Sequence, residues 1–303
     1  MAFSAFATGT ATEQAPRRKS KVALLLLLPG ILYLILFFLV PLLSLVLTSF
    51  QAPSISGDIG QYQNAFDWQN YTTAISQYSG QIFRSFIYAL LATVFALIFS
   101  YPLAYFIGVK ARPFPLLQNL MLVLVIAPFF ISFLLRTLAW KQLLSDESAI
   151  VTGLKALALL APDAHITGTP VAVVFGLTYN FIPFMTLPLY ASLERLDVRY
   201  LEAGNDLYAT PFTTFRTVTI PLSMPGIVSG VLLTFIPAAG DYVNASREFL
   251  GGTGTAMIGN VIESNFLVSL NYPAAASMSI VLMVAILILV TVYVRRSGTE
   301  ELL

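Results

Sequence analysis

Residues 82–107 read IFRSFIYALLATVFALIFSYPLAYFI, and the one charged side chain in that run is Arg84, near its start. A helix rises about 1.5 Å per residue, so about 20 such residues cross the ~30 Å hydrocarbon layer of a bilayer. The run is apolar continuously rather than at alternate positions. In hydrocarbon every backbone N–H and C=O must also find its partner inside the protein, and these two facts together favour a helix over a barrel strand. Comparable runs recur at 22–50, 116–138, 171–193, 225–239 and 273–294. The run at 225–239 is short and is expected to borrow Leu222 or Val243 at its ends. The spacing predicts an all-α membrane protein, a six-helix transmembrane bundle with the bilayer as its solvent.

Composition agrees. Apolar residues make up 57% and charged residues 10% of the chain, and the mean hydropathy is +0.80. Soluble domains hold about 45–50% apolar and about 25% charged residues. The net charge of +1 argues neither way on nucleic acid, and no nucleic-acid partner is expected. There is no cysteine, which excludes a disulfide framework, a thiolate nucleophile and a Cys-based metal site. Arg17, Arg18, Lys19 and Lys21 precede the first apolar run as in a signal peptide, but the run exceeds the ~7–15 residues of a cleaved h-region. It is read as an uncleaved span behind a disordered basic tail, residues 1–21.

Short cytoplasmic loops collect Lys and Arg. With the N-terminus inside, that side holds Arg17, Arg18, Lys19, Lys21, Lys110, Arg112, Arg195, Arg199, Arg216, Arg295 and Arg296, against Arg84, Arg136, Lys141, Lys155 and Arg247 outside. The split of 11 to 5 among the 16 basic residues supports an even number of spans with both termini cytoplasmic. The expected layout is a tail at 1–21, a transmembrane domain at 22–294 and a cytoplasmic tail at 295–303. The polar outer loops 51–81 and 141–170 are expected to be partly structured surface.

The longest cytoplasmic loop, 194–222, is unlike a plain connection. Its stretch 196–207 reads as a short interfacial helix with Leu196, Tyr200, Leu201 and Leu207 as an apolar stripe. Thr210-Pro211 then supplies an N-cap and a first-position proline for a second helix. Two short helices and a tight turn make a knob. An ordinary amphipathic surface helix is the plain alternative.

At this loop the chain resembles the ATP-binding-cassette importer permeases: Glu202-Ala203, a small-residue turn and Ile220-Pro221-Leu222 look like their EAA loop. The stretches 127–140, 179–190, Phe235 to Tyr242 and Met257-Ile258-Gly259-Asn260 extend the resemblance to the spermidine/putrescine branch, over about 22–294. The resemblance implies a type I importer permease of a bacterial inner membrane. Its partners would be a dimer of ATP-binding subunits, a second homologous permease and an extracytoplasmic substrate-binding protein. ATP and magnesium would bind in the ATPase and no cofactor in this chain. The loop would dock on the ATPase, whose dimerisation turns the bundle from inward-facing to outward-facing. Glu202, Ala203, Gly204, Asp206, Tyr208, Ile220, Pro221 and Leu222 would be the coupling residues. Two depart from the family pattern: Gly204 stands for its second Ala and Tyr208 for its Gly. A tyrosine at positive φ costs on the order of 1 kcal/mol or more, so the turn is expected to have moved to Thr210, with Tyr208 packing on the ATPase.

Ionisable groups near spans need a partner or a watery path. Asp241, at the outer end of the fifth span, leads the candidates, with Tyr242, Glu248, Glu263, Tyr179 and Asn180 beside it. Carboxylates flanked by aromatic faces suit a flexible polycation by charge pairing and cation–π attraction. For each alone the plainer roles are a solvated acid or a space-filling ring. Arg136 is expected to pair structurally with an acid or to snorkel beside Trp140. His165 is the lone histidine, in an exposed loop, so neither a metal site nor a histidine triad is expected. Gly251-Gly252-Thr253-Gly254 reads as a turn, and no G-x-x-x-x-G-K-[ST] is present, so ATP must be handled by another subunit. Permeases for sugars, iron, thiosulfate or amino acids share the loop. A secondary transporter stays open through helix breaks at Pro128, Pro183 and Pro237, whereas no nucleophile, base and metal ligand assemble for a membrane enzyme.

Overall fold

The computed structural model describes residues 21–54 and 59–296. Residues 1–20 of the tail expected at 1–21, and residues 297–303 of the tail expected at 295–303, lie outside the described residues. The chain forms two compact units, Met1–Leu45 and Val46–Leu303. Its helices are α1 Leu25–Ser49, α2 Gln69–Lys110, α3 Pro115–Phe130, α4 Phe133–Leu143, α6 Pro170–Glu194, α9 Met224–Ala239 and α11 Tyr272–Arg296. Shorter helices are α5 Ala149–Ala156, α7 Arg199–Asp206, α8 Pro211–Leu222 and α10 Ile258–Glu263. A small antiparallel hairpin, β1 Ala52–Pro53 and β2 Tyr62–Gln63, pairs Ala52 with Gln63.

Among the described residues α1, α2, α6 and α11 are long and apolar enough to cross a bilayer, and α3+α4 and α8+α9 bring the number to six if each bent pair is one span. The third and fifth runs therefore differ from straight spans. The third breaks by 96° between Phe130 and Phe133, where Ile131 turns extended and Ser132 leaves the helix, just past Pro128. The fifth bends by 67° at Ser223, so Leu222 belongs to a differently directed helix and Val243 lies beyond the helix end; neither lengthens α9. Pro183 and Pro237 sit inside unbroken helices.

The core of the second unit is α2, α6 and α9, with α11 against α2. On α2 the buried residues Ser85, Ala89, Ala92, Ala96, Ser100 and Ala104 recur every three or four positions. Lipid tails are as apolar as leucine, so spans associate through close packing, and such a small-residue stripe lets backbones approach. On α9 Gly226 and Gly230 do the same against α6. A Cβ at Gly226 would lie 2.6 Å from Ser192 Cβ, and one at Gly230 would lie 2.7 Å from Met185 Sδ. The expected outer loops carry structure: α2 begins at Gln69 and kinks at Tyr78, and Ser148 caps α5 by accepting from Val151 N at 3.1 Å.

Candidate functional site

Two groups of sequence-selected residues stand at opposite ends of α9. At its start is the knob. Asp197 Oδ1 accepts from Arg199 N at 3.0 Å and so opens α7, and Thr210 Oγ1 accepts from Thr213 N at 3.2 Å and opens α8 behind Pro211. The expected cap and proline are both in place. The turn between them has not moved. Tyr208 itself has φ +56°, and Ala209 N donates to Gly204 O at 3.0 Å, the bond that closes a helix with a left-handed residue after its end. The expected shift to Thr210 is thus corrected: Thr210 is already committed as the cap of α8, and the left-handed position falls on Tyr208.

Gly204 has a local reason. A Cβ there would meet Thr214 Oγ1 at 2.8 Å and Cγ2 at 3.0 Å, so the missing methyl lets α7 lie on α8. Glu202, Ala203 and Asp206 are exposed on α7. Of the predicted stripe, Leu196 is buried and precedes α7, whereas Tyr200 and Leu207 are exposed. Tyr208 is 97% exposed, and with Leu207 and Phe212 it gives the knob an apolar tip. Ile220, Pro221 and Leu222 sit away from the tip, at the bend into α9. Phe215 packs edge-on to Tyr101 at 5.3 Å between centroids, and Tyr101 Oη shares a 2.7 Å hydrogen bond with Ser223 Oγ.

At the other end of α9 the carboxylate of Asp241 is buried. It accepts from Asn244 N at 2.8 Å and from Asn244 Nδ2 at 3.1 Å. Asn180 Nδ2 donates to Asn244 Oδ1 at 3.1 Å and to Thr137 Oγ1 at 3.2 Å, while Asn180 Oδ1 has no partner. Asp241 and Asn180 thus come together in one network from α4, α6 and the turn after α9. Sequence reading missed Asn244, whose signal was its place three residues after Asp241, and Gly176, where a Cβ would fall 2.6 Å from Asn244 Oδ1. Tyr179 turns elsewhere and packs on Trp140 at 5.1 Å. Tyr242 is half exposed. Partial burial pushes the Glu263 carboxyl up from its ordinary value, and the like charge of Glu248 adds to the shift. Among the described residues Lys141 Nζ donates to the backbone oxygen of Glu248, at 2.7 Å.

Arg136 lies 5.9 Å from the Phe133 ring centre with its Nε unpartnered, and the acid partner expected for it is not among the described ion pairs. Those pairs are both on Asp146, which holds Lys155 at 3.1 Å and His165 at 2.5 Å. The hydrogen bond from His165, then that from Lys155, pulls the Asp146 carboxyl below its usual range. No three His, Asp or Glu side chains among the described residues converge as metal ligands.

Residues 100–297 match the family described as binding-protein-dependent transport system inner membrane component. This chain belongs to that family. The permease is 36% identical over 264 residues to the spermidine/putrescine transport system permease protein PotB of Haemophilus influenzae, covering 87% of this chain and 90% of that one. Against PotB of Escherichia coli strain K12 the identity is 36% over 269 residues, covering 88% and 94%. Among solved structures, a bacterial ABC transporter involved in alginate import matches with TM-score 0.64 at 17% identity, over 92% of this permease and 96% of that chain. The MetNI methionine transporter in an inward-facing form matches with TM-score 0.55 at 17% identity, over 72% and 94%. The permease thus has the fold of an ABC importer's transmembrane subunit and is a multi-pass inner-membrane component rather than an enzyme.

Proposed function

We propose that this permease is the transmembrane subunit of an ATP-driven importer of polyamines, working by alternating access. The observation that carries the substrate class is the 36% identity to PotB proteins over 87–88% of the chain. A separate motor is favoured by the knob: a capped two-helix projection with an exposed apolar tip and no nucleotide-binding loop in the chain. The knob faces the cytoplasm, as do both termini, and docks on one of two ATP-binding subunits, where ATP and magnesium are held. A second homologous permease completes the pathway. An extracytoplasmic binding protein delivers the solute, consistent with the alginate transporter solved with its periplasmic protein.

Glu202, Ala203, Asp206 and Tyr208 form the docking face, Gly204 seats α7 on α8 beneath it, and Ile220, Pro221 and Leu222 pass its motion into α9 through the bend. For a polycation, Glu248, Glu263 and the Tyr242 ring provide charge and a π face at the outer end. Asp241 and Asn180, joined through Asn244, hold the turn after α9 that carries Tyr242, and Tyr179 lines the path with its ring against Trp140. The test is ATP hydrolysis by the whole importer in proteoliposomes. Spermidine-loaded binding protein is expected to stimulate it. Stimulation by a sugar or an amino acid instead refutes the substrate class, and uptake without an ATPase refutes the motor.

A further inference from the structure

The knob has two roots, one where α6 ends and one where α8 meets α9, and both are fastened to α2. At the exit root the fastening is Tyr101 with Phe215 and Ser223. At the entry root it is Arg112, two residues past the end of α2. Its Nη1 donates to Leu196 O at 2.9 Å and its Nη2 to Leu193 O at 2.6 Å, with further bonds to the carbonyls of Glu194 and Gly108. The last carbonyls of a helix lack intrahelical partners, and a cation there also favours the helix dipole.

Arg112 forms no ion pair among the described residues; the Glu194 carboxylate accepts from Tyr190 Oη instead. The guanidinium therefore serves backbone alone, and it does so where α6 gives way to α7. The surroundings keep it in register: Ile107, Ala111, Leu193 and Leu196 are buried, and a Cβ on Gly108 would lie 3.2 Å from Leu193 Cβ. Were this root loose, displacement of α7 would be absorbed between Leu193 and Arg199 and would not reach the spans.

We propose that Arg112 is a positioning residue for energy coupling: it clamps the C-terminal end of α6 to the end of α2, so that a pull on the knob moves both spans as one body. The proposal rests on the reading of the knob as the ATPase's handle. It explains why an arginine stands there, since a lysine has three donors at a single nitrogen and cannot hold four separate carbonyls as the five-donor planar fork does.

The test uses the whole reconstituted importer. Arg112→Ala should leave basal ATP hydrolysis within about twofold, while stimulation by spermidine-loaded binding protein falls about tenfold and more ATP is used per solute moved. Arg112→Lys should not restore it. The chain has no cysteine, so Gly108→Cys with Leu193→Cys can be added to Arg112→Ala; their separation is close to the ~3.5–4.5 Å between Cβ atoms of a disulfide. Oxidation should restore stimulation and reduction remove it again, a readout that a general folding defect does not produce. Normal stimulation in Arg112→Ala, or no recovery on oxidation, overturns the proposal. If Arg112→Ala fails to assemble, Arg112→Gln, which keeps two donors without charge, must show the partial loss. An unsubstituted importer that ignores loaded binding protein refutes the motor reading instead. In that event the rate of disulfide formation still decides the clamp: it must slow when Arg112 is removed, and an equal rate overturns it.

Discussion

Replacing Tyr208 with Gly separates the backbone cost of the knob's turn from the use of its side chain. At φ +56° an L-residue other than Gly bears about 1–2 kcal/mol of local strain. Gly relieves this but loses about 0.5–1 kcal/mol to its freer unfolded chain, so the turn should gain roughly 0.5–1 kcal/mol. That gain is visible as about two- to fivefold slower hydrogen exchange at the Ala209 amide, which bonds Gly204 O at 3.0 Å. The ring that Gly removes is 97% exposed, so the isolated permease loses no packing. If the ring fills a pocket on the ATPase, its loss should weaken that contact by about 1–2 kcal/mol, roughly 5–30-fold in Kd. Solute-stimulated ATP hydrolysis should fall with it. Tyr208→Ala keeps the strain and loses the ring, so it should be worse on both counts. A Tyr208→Gly permease with a steadier turn and unchanged or better transport refutes the reasoning.

Gly204→Ala forces a methyl to 2.8 Å from Thr214 Oγ1 and should destabilise the α7–α8 contact by about 1–3 kcal/mol by thermal unfolding; adding Thr214→Ala should recover most of it. Asn244→Ala removes the Nδ2 bond to the buried Asp241 carboxylate and the Oδ1 acceptor of Asn180, while the backbone bond to Asp241 stays, and should cost about 2–3 kcal/mol in the same assay, with Asn244→Gln failing to restore it. Glu263→Gln should raise the spermidine concentration for half-maximal uptake several-fold with little change in stability. An unchanged concentration dependence takes Glu263 out of the path.

Much of this was legible because hydrocarbon imposes one rule on every span. The runs at 171–193 and 273–294 appear as α6 and α11 almost to the residue, and Thr210-Pro211 caps a helix as its chemistry dictates. What stayed hidden depends on contacts distant in sequence. Hydropathy cannot see the 96° break after Phe130, because the apolar run 116–138 continues across it, interrupted at the break by Ser132 alone. It rates the alanines of α2 as weak core, although closeness of backbones makes them the centre of the bundle. The left-handed Tyr208 broke a local rule, and local rules predicted the turn elsewhere. Asn244 and Arg112 act through partners 64 and 81–84 residues away, which no local spacing reveals.

The central claim is that the knob is gripped by a separate motor. The absence of cysteine allows Ala203→Cys to place a single thiol on its exposed face. Labelled with a short photo-cross-linker in the assembled importer, this position should join to the ATP-binding subunit, with a yield that changes when ATP is bound. Labelling by an impermeant thiol reagent from the outside of sealed cells, or cross-links to lipid alone, would contradict the account.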